Sequence, residues 1–72
     1  MKALRLRVLR ADQEVSQSQL ARKAGLHVNR YWHIENGEGS PPTKDEQLNI
    51  ALALGVKVTA IAWPEFEKAE AS

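Results

Sequence analysis

Apolar residues along the chain fall in short clusters with helical spacing, separated by glycine and proline. Leu6 and Leu9, with Ala3, Ala11 and several arginines around them, predict an amphipathic helix over 3–12. Ser16 and Gln19 have the spacing of a capping box, in which hydroxyl and amide satisfy each other's backbone donors. A second helix is therefore expected from about Gln17, with Leu20, Ala21 and Ala24 facing inward. Gly25 is expected to end it, because a reversal after so short a helix uses the left-handed conformation. A third helix is expected over Val28 to Glu35, stopped at Asn36-Gly37. Glu38 to Pro42 reads as a stiff loop, since each proline fixes φ and biases the residue before it. Thr43 and Glu46 form a second capping box, opening a helix through Leu48, Ile50, Ala51 and Leu54 that Gly55 closes. After Val56 and Val58 a short fifth helix is expected over Thr59 to Ala62, stopped by Trp63-Pro64. No alternation predicts a strand pair. The expectation is one domain over 1–66 and a polar tail over 67–72 that frays.

Composition narrows the chemistry. The chain has 72 residues and no cysteine, which leaves room for one small core and excludes disulfides, thiolate zinc sites and thiol nucleophiles. His27 and His33 are six apart and cannot share a metal on one helix, so neither metal nor cofactor is expected. No Ser-His-acid set or carboxylate pair has a supporting arrangement, and an enzyme is not expected. The charged N-terminus and the lack of a bilayer-length apolar run predict a cytoplasmic protein. The net charge is only +1, but it is unevenly divided. Residues 1–36 carry seven Lys/Arg against three acidic residues, a surplus of +4, and residues 37–72 carry three against six, a deficit of −3. The positive half permits a polyanionic partner.

Leu20, Ala21, Gly25, Leu26, Tyr31 and Ile34 are what two helices meeting across a tight turn require. Ala21 permits a close crossing, Gly25 makes the turn, and the larger residues fill the angle between the helices. From about Leu6 to Ile61 the sequence resembles the Cro/C1-type (XRE-like) helix-turn-helix family of lambdoid phage repressors and small bacterial regulators. The residues that carry this are "LRVLR", "SQSQLARKAGL", "HIENG", the proline after the loop, and "IALALGV". The resemblance implies an all-α, five-helix lambda-repressor-like domain, with the helix-turn-helix at helices 2 and 3 and helix 3 in the DNA major groove. It also implies a phosphate contact for Gln17, a backbone contact for Asn36, and an ion pair between Arg10 and Glu35. The loop Glu38-Gly39-Ser40 departs from the family in carrying no positive charge, which predicts fewer neutralised phosphates and a shallower salt dependence.

If Tyr31 and Ile34 point inward, the helical step leaves Val28, Asn29, Trp32 and His33 outward as base-reading candidates. The Asn29 carboxamide can accept from adenine N6 and donate to N7. Val28 can pack on a thymine methyl, and His33 can donate to guanine or to a phosphate. Trp32 can lie on sugars and thymine methyls or fold back over the loop. His27 is either a helix cap or an extra phosphate contact, and Arg30 is a phosphate candidate. These features predict a sequence-specific regulator of double-stranded DNA, a repressor by preference, acting as a homodimer; the resemblance implies dimer contacts near the fifth helix, at Val58, Ile61 and Trp63. The competing reading is a protein-interaction module, such as the antitoxin of a toxin–antitoxin pair.

Overall fold

A computed structural model describes residues 3–66, and the tail expected over 67–72 lies outside them. Four α-helices, α1 (Leu6–Gln13), α2 (Gln17–Lys23), α3 (Val28–Asn36) and α4 (Lys44–Leu54), are followed by a 3₁₀ turn at Val58–Ala60. Both capping boxes form. Ser16 Oγ accepts from the Gln19 N–H at 3.0 Å while Gln19 Oε1 accepts from the Ser16 N–H at 2.9 Å. Thr43 and Glu46 repeat the exchange at 3.1 and 2.9 Å.

The two ends of the domain differ from the sequence expectation for one shared reason. Residues 3–5 precede α1 as extended chain, because Leu4 makes a parallel bridge with Ile61. The Leu4 N–H donates to the Ala60 carbonyl at 3.0 Å, and the Ala62 N–H donates to the Leu4 carbonyl at 2.8 Å. The expected fifth helix is correspondingly only the 3₁₀ turn, and Ile61 leaves it in extended conformation to pair with Leu4. Four helices, not five, make up the described fold.

The core lies where α2 packs against both α3 and α4. Leu20, Tyr31, Ile34 and Ile50 are fully buried, and Ala21, at 1% exposure, lets the helices approach closely. Each large apolar side chain removed from water contributes about 1.5–3 kcal/mol before conformational entropy is subtracted. Leu6, Leu54 and Ile61 close the core from α1, α4 and the segment after the 3₁₀ turn. Trp63 packs on its edge with its indole N–H donating to the Val58 carbonyl at 3.3 Å. The chain after the turn also crosses the end of α3. Gly37, at φ +72°, is the left-handed C-cap of that helix, and a Cβ there would lie 3.0 Å from the Glu65 carbonyl oxygen.

Candidate nucleic-acid interface

The angle between α2 and α3 is set by a tight turn. The Leu26 N–H reaches back to the Ala21 carbonyl at 2.8 Å, and Gly25 takes φ +72° with open space where a side chain would begin. His27 then caps α3: its Nδ1 accepts from the Asn29 N–H at 3.1 Å, one of the orphan donors of the first turn. A histidine here does the work usually done by Ser, Thr, Asp or Asn.

Tyr31 and Ile34 are fully buried, which sets the orientation of α3. At about 100° per residue, Asn29 and Asn36 lie opposite the core, and Trp32 and His33 lie either side of them. Val28 stands only about 90° from the inward direction by the same step. It is half-buried and packs on the core, so it flanks the outer face and does not point away from the protein as the sequence reading had it. Asn29 is exposed, and its carboxamide makes no hydrogen bond among the described residues. Trp32 is 39% exposed and meets the His33 ring edge-on, with centroids 5.2 Å apart. The Asn36 amide donates to the Trp32 carbonyl at 2.8 Å, and His33 Nδ1 lies 2.7 Å from the Asn29 carbonyl oxygen. Two side chains of this face are thus laid back along their own helix.

Glu35 is the electrostatic centre behind that face. Its side chain is only 3% exposed, and Arg10 reaches it through both Nε and Nη2, at 2.8 and 3.0 Å. Arg10 also donates to the Val15 carbonyl at 3.0 Å, so one guanidinium joins α1, the α1–α2 connection and α3. The Gln17 amide donates to the same carboxylate at 3.4 Å. That long bond occupies the group expected on a phosphate, yet leaves it at the start of α2 beside α3. Burial opposes ionisation of Glu35, but the hydrogen bonds from Arg10 lead the opposing effects that keep its carboxyl below the ordinary value. The Tyr31 hydroxyl is buried alongside without a hydrogen-bond partner of good geometry. Burial first, and then its approach to the Glu35 carboxylate and that group's charge, push the phenol above its ordinary value.

Arg30 is placed differently from the sequence expectation. Its Nε and Nη2 clamp the Glu46 carboxylate at 2.9 and 2.7 Å, and Nη1 and Nη2 donate to the carbonyls of Ser40 and Pro41 at 3.1 and 3.2 Å. The guanidinium expected on a phosphate therefore fastens α3 to the loop and to the first turn of α4. The physical reason is the capping box. Glu46 is held at the α4 N-terminus, where a fork of donors can meet both its oxygens. The Arg30 hydrogen bonds are the leading cause that holds the Glu46 carboxyl below its usual range. Arg7 is a cation that the sequence reading passed over. It is 70% exposed, its Nε is 3.9 Å from Glu35, and it lines a cleft with Arg5 and Asn36. The only sequence signal for it was the basic character of the first helix.

Two short helices fixed by a glycine turn, with the second presenting an outward polar and aromatic face, constitute a helix-turn-helix. The sequence model described as "Helix-turn-helix domain" matches residues 3–63, and the chain belongs to that family. The family is related to XRE/Cro-type helix-turn-helix domains and is a DNA-binding one. Among curated proteins none matches the chain significantly. No helix of the described residues is long and apolar enough to cross a membrane.

Proposed function

We propose that the protein is a sequence-specific regulator of double-stranded DNA that places α3 in the major groove and acts as a homodimer on a two-fold symmetric operator. The observation that carries this reading is the outward Asn29 carboxamide, without a hydrogen-bond partner among the described residues, on a helix whose opposite side is locked into the core. Its bidentate match is adenine N6/N7. One such helix covers only a few base pairs, so specificity requires two copies about 34 Å apart. Repression follows from occupying a promoter. For the surface between copies we favour a place other than the Val58, Ile61 and Trp63 region. Ile61 is 3% exposed, and Val58 and Trp63 pack on the core, whereas Leu48 and Leu52, four apart on the outer side of α4, are 50% and 68% exposed. Those two leucines are the apolar surface we assign to the second copy.

The test is selection of the protein from a random duplex library near physiological salt. The expected result is an inverted repeat with half-sites one helical turn apart. Asn29→Ala should relax one position per half-site at about 1–3 kcal/mol and leave the salt dependence unchanged. Uniform weakening on every sequence would remove Asn29 from base reading. A second reading, an α3 face that docks a protein such as a toxin, is favoured by one observation, the exposed Trp32 on that face. A contact of that kind would persist in salt concentrations that dissociate DNA.

A further inference from the structure

The backbone of α3 holds its two histidines in opposite protonation patterns. His27 Nδ1 accepts from the Asn29 N–H at 3.1 Å. An accepting nitrogen carries no proton, so the neutral His27 ring has its proton on Nε2. His33 Nδ1 lies 2.7 Å from the Asn29 carbonyl oxygen, and an amide carbonyl can only accept. The proton of the neutral His33 ring is therefore on Nδ1, and Nε2 is left with an open lone pair. The Trp32 ring, perpendicular to the imidazole at a centroid distance of 5.2 Å, packs against it in this orientation.

We propose that His33 reads the operator as a hydrogen-bond acceptor: its Nε2 takes a hydrogen bond from an exocyclic amino group, adenine N6 or cytosine N4, in the major groove. This rests on the DNA-reading function proposed above and reverses the sequence expectation that His33 donates to guanine. The reversal follows from chemistry at the other end of the ring. Once Nδ1 spends its proton on the helix, a neutral imidazole has nothing left to give to guanine N7 or O6. His27 is the internal contrast, since the same logic leaves its Nε2–H a donor. The face of α3 thus presents an acceptor at His33 and both kinds of group at Asn29, while the His27 cap before the helix keeps a donor.

Each Watson–Crick pair carries one amino group in the major groove, so the consensus letter does not test the assignment, whereas the contacted atom does. The experiment uses the full chain at pH 8, where an ordinary imidazole is neutral. Selection with the parent protein and with His33→Ala identifies the base pair whose preference depends on His33. Two altered duplexes are then made at that pair. One lacks the amino group, with purine in place of adenine or 2-pyrimidinone in place of cytosine; the other carries a 7-deazapurine, which lacks the N7 acceptor. Removing the amino group should weaken the parent by about tenfold more than His33→Ala, and the 7-deaza change should affect both proteins alike. A 7-deaza penalty that disappears in His33→Ala would make His33 a donor and overturn the assignment. So would an operator that is selected normally but has no base pair responsive to His33→Ala. A selection that enriches no operator would instead bring down the DNA-reading function, and this assignment with it.

Discussion

Arg30 separates two physical accounts of the same residue. In the structure its guanidinium makes two charge-assisted bonds to Glu46, at 2.9 and 2.7 Å, and two bonds to loop carbonyls. The Arg30 and Glu46 side chains are 26% and 20% exposed. An exposed ion pair contributes about 0–1 kcal/mol, and a hydrogen bond to a charged group about 1.5–3 kcal/mol. A bidentate pair three-quarters withdrawn from water falls between these, and about 2 kcal/mol is expected for Arg30→Met, which keeps most of the apolar stem. In a domain of this size that corresponds to a loss of roughly 8–16 °C in Tm. Urea denaturation followed by circular dichroism measures it directly. Glu46→Gln, alone and combined with Arg30→Met, should show a coupling of at least about 1 kcal/mol, because the two residues share one interaction. If Arg30 instead grips a phosphate, stability should change by less than about 0.5 kcal/mol, while the slope of log affinity against log salt on the selected operator should fall by about 0.9. That pair of results would refute the clamp.

Gly37→Ala places a Cβ 3.0 Å from the Glu65 carbonyl oxygen at φ +72° and should cost about 1–3 kcal/mol by urea denaturation. Gly25→Ala, at the same φ but in open space, should cost less; equal losses would mean that the crossing segment does not matter. Tyr31→Phe removes a buried hydroxyl without a good partner and should leave stability unchanged or slightly raised; a loss above about 1 kcal/mol would show that the hydroxyl bonds to Glu35. Glu35 and Glu46 both titrate below the ordinary carboxylate value of 4.5. A depressed folded-state value means that their contribution is complete above about pH 4.5 and is lost as pH falls through the folded values. Stability should therefore drop on the acid side, and Glu46→Gln should flatten that limb. An acid limb unchanged by the variant would assign it to other groups.

What could be read from sequence was mostly local. Ser16 with Gln19 and Thr43 with Glu46 interact over three residues, so their spacing alone announces two helix starts. Tyr31 and Ile34 share a face by the geometry of one helix, and their burial follows from their apolarity. Most of the misses are long-range. Nothing near Leu4 announces that it will bridge to Ile61, and that contact decides where α1 begins and why no fifth helix forms. Arg30 reads equally well as solvated, phosphate-bound or internally paired, until folding brings Glu46 beside it. The Arg10–Glu35 pair, spanning 25 residues, was expected through family resemblance and not through spacing. The outward face was legible to within one helical step, which is why Val28, at the boundary, was misplaced while Asn29 was not.

These internal pairings alter the electrostatic account of the interface. The first half of the chain has a surplus of +4, but Arg10 is committed to Glu35 and Arg30 to Glu46, and the loop after α3 adds Glu38 where the family often has a cation. Among the described residues, the exposed cations of α1, its approach and α2 are Arg5, Arg7, Arg22 and Lys23. Under the proposed function, phosphate neutralisation, the source of sequence-independent affinity, would draw on the α1 and α2 side of the domain. Few such contacts imply weak non-specific binding and a shallow salt slope, so on the proposed function a larger share of operator affinity would fall to neutral hydrogen bonds from α3. Neutral bonds discriminate only when their donors and acceptors are fixed in advance, and here the backbone of α3 sets the imidazole of His27 through the Asn29 N–H and that of His33 through the Asn29 carbonyl. A helix that spends its arginine on rigidity and its histidines on defined tautomers suits reading by base edges more than holding by charge.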